Sequence, residues 1–198
     1  MHTPAFSPRY EKALQFAARA HRQQVRKGTD IPYITHAVHV SVVLLRYGFD
    51  EDVVIAGLLH DVVEDCGVAP HELEAIFGAE VARLVAAASE RKRNGGSERP
   101  WEERKTEAIA HLRRGDPKIA ALKAADALHN IHSIIADLTL VGAAVWQRFK
   151  RGPDQMLWYY REILAAVRDT LGDHPIVAEL ARAIADLEHT VHEYNGEK

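Results

Sequence analysis

The amino-acid sequence predicts an all-α protein, and three observations carry that prediction. Apolar residues recur at three- and four-residue spacing along most of the 198 residues, the period that gathers them on one stripe of a helix. Helix-starting and helix-ending residues punctuate the chain, with Ser7-Pro8, Asp50, Pro70 and Asp116-Pro117 as starts and Gly28, Gly48, Gly67 and Gly78 as ends. The valine-rich stretches VHVSVV and VVIA have neighbours of helical period and no hairpin signal after them, so they read as helix rather than strand.

The elements follow in order. Ser7 caps a first helix that runs to Gly28. Thr35 caps a second, beginning at His36 and closing at Gly48, and Asp50 caps a third that continues through LLHDVVED to Gly67. Pro70 opens a short helix ending near Gly78, and another covers roughly residues 79 to 92. NGGSERP, residues 94 to 100, is the clearest loop, and its proline starts the next helix at Trp101. Asp116-Pro117 opens a long helix reaching about Asp137, and helices around 144 to 171 and 175 to 193 complete the chain. No internal repeat or linker divides it.

Composition narrows the function classes. Net charge is −3 and pI is near 6.5, which gives no broad basic surface for duplex nucleic acid. Cys66 is the single cysteine, so an internal disulfide is excluded and a reducing, cytoplasmic setting is expected. No apolar run is expected to reach the roughly 18 residues that span a bilayer, and the N-terminus carries no signal-peptide pattern, so no membrane partner is expected. The 12 histidines raise the question of metal.

LLHDVVEDC, residues 58 to 66, sharpens it. On a helix its apolar residues fall on one stripe, leaving His60, Asp61, Glu64 and Asp65 together on the other side. His60 and Asp61, about 100° apart around the axis, can converge on one cation, with Glu64 and Asp65 a turn further on. A divalent ion would make the crowded carboxylates tolerable. His36 shares an inward stripe with Val40 and Val43, where a histidine is either a core residue or a ligand. Asp126, among Ala124, Ala125, Ala127 and Leu128 with Asn130 and Ser133 on its side, is either a buried hydrogen-bond hub or a ligand. In the first helix Gln24 stands where an apolar residue would continue the stripe, and His21 borders it; both are expected to tie helices together or support a site. Arg26 and Lys27 are expected at that helix's C-terminal end.

The ordered set HRQQVRK, PYITH, LLHDVVED and DALHN, within residues 13 to 134, resembles the HD superfamily of metal-dependent phosphohydrolases. More closely, it resembles the hydrolase domain of RelA/SpoT homologues and the stand-alone small alarmone hydrolases. The resemblance implies a single HD-domain helical bundle over 1–198, with a motif-bearing core at about 8–138 and additional C-terminal helices at about 144–193. It implies His36, His60, Asp61 and Asp126 as ligands of a divalent metal, generally Mn²⁺, and Glu64 and Asp65 as the catalytic pair. It implies Arg26, Lys27, Asn130 and Ser133 around a nucleotide, and removal of the 3′-pyrophosphate from (p)ppGpp. Two alternatives stay open: an HD phosphohydrolase for another nucleotide (an adenine alarmone such as ppApp, NADPH, or a nucleoside monophosphate), and a module that binds nucleotide without turnover. Three departures from the resemblance bear on the substrate. Ala127 stands where relatives carry a basic residue, Ser133 stands where they carry threonine, and the basic run SERKRNGGSERPWEERK replaces a threonine-aspartate pair. Arg91, Lys92, Arg93, Arg104 and Lys105 of that run are candidate phosphate ligands.

Overall fold

The computed structural model describes residues 7–195. Helices dominate them as expected, and their contacts divide the chain into two compact units, residues up to Arg104 and from Lys105 onward.

In the first unit, α1 (Pro8–Ala20) starts where expected. Ser7 accepts a hydrogen bond from the Tyr10 amide, and Pro8 occupies the first turn, where its missing N–H costs nothing. α2 (Ile34–Arg46) follows, then α3 (Glu51–Leu59), whose cap Asp50 accepts from the Val53 amide as the sequence implied. Every residue from Val53 to Leu59 is buried, because α3 packs against α1, α2 and α6 (Ala79–Ala88) at once. Gly57 permits a close approach of α2: a Cβ there would lie 2.5 Å from the Leu44 side chain. Two short helices, α4 (Val62–Cys66) and α5 (Pro70–Phe77), complete the helical part of the unit.

The sequence expectations need four corrections here. α1 stops at Ala20 rather than reaching Gly28. The chain turns instead, with Gln24 and Arg26 bonded back to Tyr33 and Ile31 and a bridge between Val25 and Pro32. Gly28, at φ +74°, serves the turn between Arg26 and Thr29 rather than a helix end. Thr35 lies inside α2, not at its cap; its hydroxyl donates to the Pro32 carbonyl. The third helix is interrupted at His60 and Asp61. Finally, the helix after Gly78 ends at Ala88, and NGGS is the turn of a small hairpin, β1 (Arg93–Asn94) against β2 (Ser97–Glu98). Gly95 and Gly96, at φ +54° and +89°, supply the two positive dihedrals that a tight two-residue hairpin loop requires.

In the second unit, α8 (Pro117–Val141) is capped by Asp116, which accepts from the Lys118 and Ile119 amides. It runs four residues past the expected end. A 3₁₀ helix (Gly142–Arg148) leads to α9 (Pro153–Leu171) and α10 (Pro175–Asn195), both packed on α8. α7 (Trp101–Leu112) begins at the expected tryptophan. By length and composition alone, Pro117–Arg148 is apolar enough to cross a membrane, its most apolar 18-residue window having a mean hydropathy of 1.3. It holds no unbroken apolar run of about 18 residues, because Lys123, Asp126, Asn130 and Asp137 interrupt it. The apolar face of α8 is taken up by α9 and α10, and Lys123 and Asp126 sit mid-helix.

Candidate metal centre and active site

His36 opens the first turn of α2 and His60 follows the last residue of α3, both almost fully buried. Their Nε2 atoms lie 3.2 Å apart. Asp61 Oδ2 is 2.8 Å from His60 Nε2 and 3.6 Å from His36 Nε2. The tautomer of His60 follows from its other nitrogen. Nδ1 is 2.8 Å from the Gly57 carbonyl oxygen, which can only accept, so Nδ1 carries the ring proton and Nε2 of the neutral ring is a lone-pair donor. Two imidazole nitrogens and a carboxylate oxygen thus point at one another, an arrangement that needs positive charge between them. This donor set suits a divalent cation of borderline hardness, and both histidines belong to the residues able to hold one.

The helix break is the cost of that convergence. Neighbouring residues on an intact helix point about 100° apart, yet His60 and Asp61 must meet at one point. Asp61 relaxes to φ −100°, ψ −3°, and the Tyr33 hydroxyl donates to its Oδ2 at 2.5 Å. Burial pushes the Asp61 carboxyl up; when the imidazoles are protonated, the charge of His60 and hydrogen bonds from both rings outweigh it and hold the group well below the usual carboxylate range.

Glu64 and Asp65 project from α4 beside this cluster and share one cation already present in the chain. Lys92 Nζ is 2.5 Å from Asp65 Oδ1 and 3.0 Å from Glu64 Oε1. The Glu90 amide donates to Glu64 Oε2 at 2.7 Å, and Gln24 Nε2 donates to Asp65 Oδ2 at 2.9 Å. Burial pushes Glu64 up, and the Glu90 amide and Lys92 offset only part of that. Lys92 is pushed down by partial burial, yet its two carboxylate partners win and hold its ammonium above the ordinary lysine range.

The supporting role expected of His21 and Gln24 is realised. His21 Nδ1 meets Gln24 Oε1 at 2.7 Å and Cys66 Sγ at 3.3 Å, and its ring lies on Tyr33 with centroids 4.8 Å apart. Arg26 and Lys27 sit on the turn after α1 rather than at its C-terminal end, because the backbone bonds of Gln24 and Arg26 go to the returning strand. The Arg26 guanidinium stands 5.5 Å from the Tyr33 ring centroid, and Lys27 is exposed. In the second unit Asp126 accepts from Asn130 Nδ2 at 2.6 Å and from Lys123 Nζ at 3.2 Å. Ser133 Oγ lies 3.5 Å from His129 Nδ1. The candidate phosphate ligands have other engagements: Lys92 with the acidic couple, Arg104 with Glu90, and Lys105 over the Tyr159 ring. Arg91 and Arg93 are exposed.

Of two further residues of the site, Tyr33 was given no role from sequence and Lys92 was named only as a candidate phosphate ligand. Tyr33 lies within PYITH, three residues before His36, a spacing that puts both on one side of a helical turn. Lys92 was visible only as part of a charge run, and nothing in the sequence aims it at α4.

A family model described as HD domain matches residues 13–151. The chain belongs to the HD-domain family. Among HD-domain relatives, the guanosine-3′,5′-bis(diphosphate) 3′-pyrophosphohydrolase MESH1 of Drosophila melanogaster is 32% identical over 167 residues, covering 83% of this chain and 87% of that protein. MESH1 of Homo sapiens is 37% identical over 126 residues, covering 62% and 68%. A GTP pyrophosphokinase of Streptomyces coelicolor is 36% identical over 124 residues, covering 63% of this chain but only 14% of that protein's length. Among solved structures, one described as a metazoan ortholog of SpoT that hydrolyses ppGpp matches with a TM-score of 0.77 at 28% identity, covering 96% of this chain and 99% of that one. The crystal structure of lmo0812 from Listeria monocytogenes EGD-e matches with a TM-score of 0.68 at 40% identity, covering 77% and 93%.

Proposed function

We propose that this HD-domain chain is a metal-dependent hydrolase that removes the 3′-pyrophosphate of (p)ppGpp, giving GDP or GTP and pyrophosphate. The observation that carries the reading is the meeting of the His36, His60 and Asp61 donor atoms beside the Glu64–Asp65 couple. Relatives named for this reaction align over most of the chain.

His36, His60 and Asp61 hold a divalent cation, with Asp126 as the fourth protein ligand and Mn²⁺ as the ion. Two imidazoles and two carboxylates suit such an ion with positions left for water. When bound, the ion supplies Lewis-acid polarisation of a phosphoryl oxygen and a lowered pKa for water. The chain's own groups do the rest. Glu64, whose burial raises its proton affinity, takes a proton from the attacking water, and Asp65 orients that water. The water oxygen bonds to the phosphorus on the ribose 3′-oxygen, the bond from that phosphorus to the 3′-oxygen breaks, and the 3′-oxygen receives a proton. Arg26 and Lys27 engage the purine and a phosphate from the turn beside Tyr33, and Asn130 and Ser133 engage the sugar. The chain acts as a single hydrolase domain in the cytoplasm, without duplex nucleic acid or membrane as partner.

Purified protein loaded with Mn²⁺ should convert ppGpp to GDP with stoichiometric release of pyrophosphate. Intact ppGpp, with phosphate released instead from ppApp, NADPH or a nucleoside monophosphate, would overturn the substrate assignment.

A further inference from the structure

We infer that Lys92, delivered by the small β-hairpin, is a positioning residue for the acidic couple: it fixes Glu64 and Asp65 side by side, with Glu64 oriented as the proton acceptor. The inference rests on the reading of Glu64 and Asp65 as the catalytic pair.

Three features of the geometry carry it. First, one ammonium bridges both carboxylates through separate oxygens, Oε1 of Glu64 and Oδ1 of Asp65, while their remaining oxygens are held by the Glu90 amide and Gln24. Each carboxylate is therefore restrained at two points, as a proton acceptor must be if it is to meet a water in one orientation. Second, the segment that supplies these contacts is anchored. Glu90 Oε2 accepts from Arg104 Nη1 at 2.8 Å, with both side chains more than nine-tenths buried, and Ser89 Oγ ties back to the Val85 carbonyl. Third, Lys92 lies at the base of the hairpin. Its carbonyl accepts from the Arg99 amide, and the Gly95-Gly96 turn closes the pair of strands beyond it. Within the run of basic residues, Lys92 is therefore the member turned onto the acidic couple of α4.

Charge gives the direction of the effect. Glu64 faces Lys92 and the Glu90 amide from the hairpin segment, Asp61 from the preceding turn and Asp65 from its own helix, while the Glu90 carboxylate is neutralised by Arg104. Burial and Asp61 favour protonated Glu64; Lys92 and the amide favour the carboxylate. Removing Lys92 therefore raises the pH at which Glu64 loses its proton. A base works only when ionised, so the acid limb of the rate profile moves to higher pH.

The test compares wild type with Lys92→Met and Lys92→Arg in Mn²⁺-loaded protein, measuring kcat and KM for ppGpp across pH. NMR titration of the Glu64 carboxyl in metal-free protein accompanies it. The expected result is a loss of about 10- to 100-fold in kcat with KM changed far less, an acid limb moved upward, and substantial recovery in Lys92→Arg. A rise in KM alone would make Lys92 a substrate-phosphate ligand and overturn the positioning role, as would an unchanged kcat and acid limb. If wild type fails to turn over ppGpp, the functional reading fails by itself. The Glu64 titration then still decides whether Lys92 sets its protonation, and an unmoved titration in Lys92→Met overturns the inference.

Discussion

Two acidic clusters sit side by side in the first unit and solve the same problem differently. In one, Asp61 Oδ2 and the Nε2 atoms of two buried imidazoles converge. In the other, Glu64 and Asp65 face a lysine of the same chain. The second cluster brings its own cation and keeps it on a flexible stem; the first is built of donors that favour an ion from outside. The comparison teaches where each kind of chemistry belongs. Under the proposed function, metal binding goes to the site whose imidazole and carboxylate donors are buried and converge, and proton transfer goes to the carboxylate whose charge is tuned by a lysine of the same chain.

Substitutions can break or sharpen that contrast. The largest effect is expected from Asp61→Ala, which removes a donor from the first cluster. Metal content and ppGpp turnover should fall together, turnover by about 1,000-fold, the order of rate lost when Lewis-acid assistance goes. Asp126→Ala should behave alike, and unchanged metal content and rate in it would remove Asp126 from the ligand set. Glu64→Gln strikes the second cluster alone. Elemental analysis should find the metal retained while kcat drops by about 100-fold, the lower end of the range for a lost acid–base group; loss of metal as well would erase the division between the clusters. Tyr33→Phe deletes the hydroxyl that donates to Asp61 without touching a donor atom, and should weaken metal affinity by about 10- to 100-fold in a competition titration. The smallest effect is expected from Gly96→Ala. At φ +89° an alanine should cost about 1 kcal/mol in denaturant unfolding, with metal content unaffected.

The sequence made the helical architecture legible wherever local signals decide it. Ser7-Pro8, Asp50 and Asp116-Pro117 cap their helices as their chemistry requires; spacing put His60 and Asp61 together, whereas His36, which meets them in the structure, was set beside them only by the family resemblance. The misses share one cause: tertiary bonds overrode local pattern. The apolar stripe of LLHDVVEDC fits an unbroken helix, but bringing His60 and Asp61 to one point unwinds it, a demand made by His36 and Tyr33 from another element. The turn after α1 depends on backbone pairing of Gln24 and Arg26 with residues beyond Gly28, which no helical period reports. Asn94-Gly95-Gly96-Ser97 did carry a hairpin signal in its glycines; the all-helical pattern around it drew the reading toward an unstructured loop. Lys92 was legible only as a candidate phosphate ligand, not as a partner of the acidic couple, because Asp65 and Glu64 lie 27 and 28 positions earlier, and a charge run looks the same whatever it faces.

The most direct measurement of the central claim, one cation gripped by the imidazole–carboxylate cluster, is metal content paired with turnover before and after chelation. Protein as purified should carry one divalent ion per chain, lose ppGpp hydrolysis when the ion is stripped, and regain it with Mn²⁺; His60→Ala should carry none. Full turnover in protein shown to be free of metal would contradict the account.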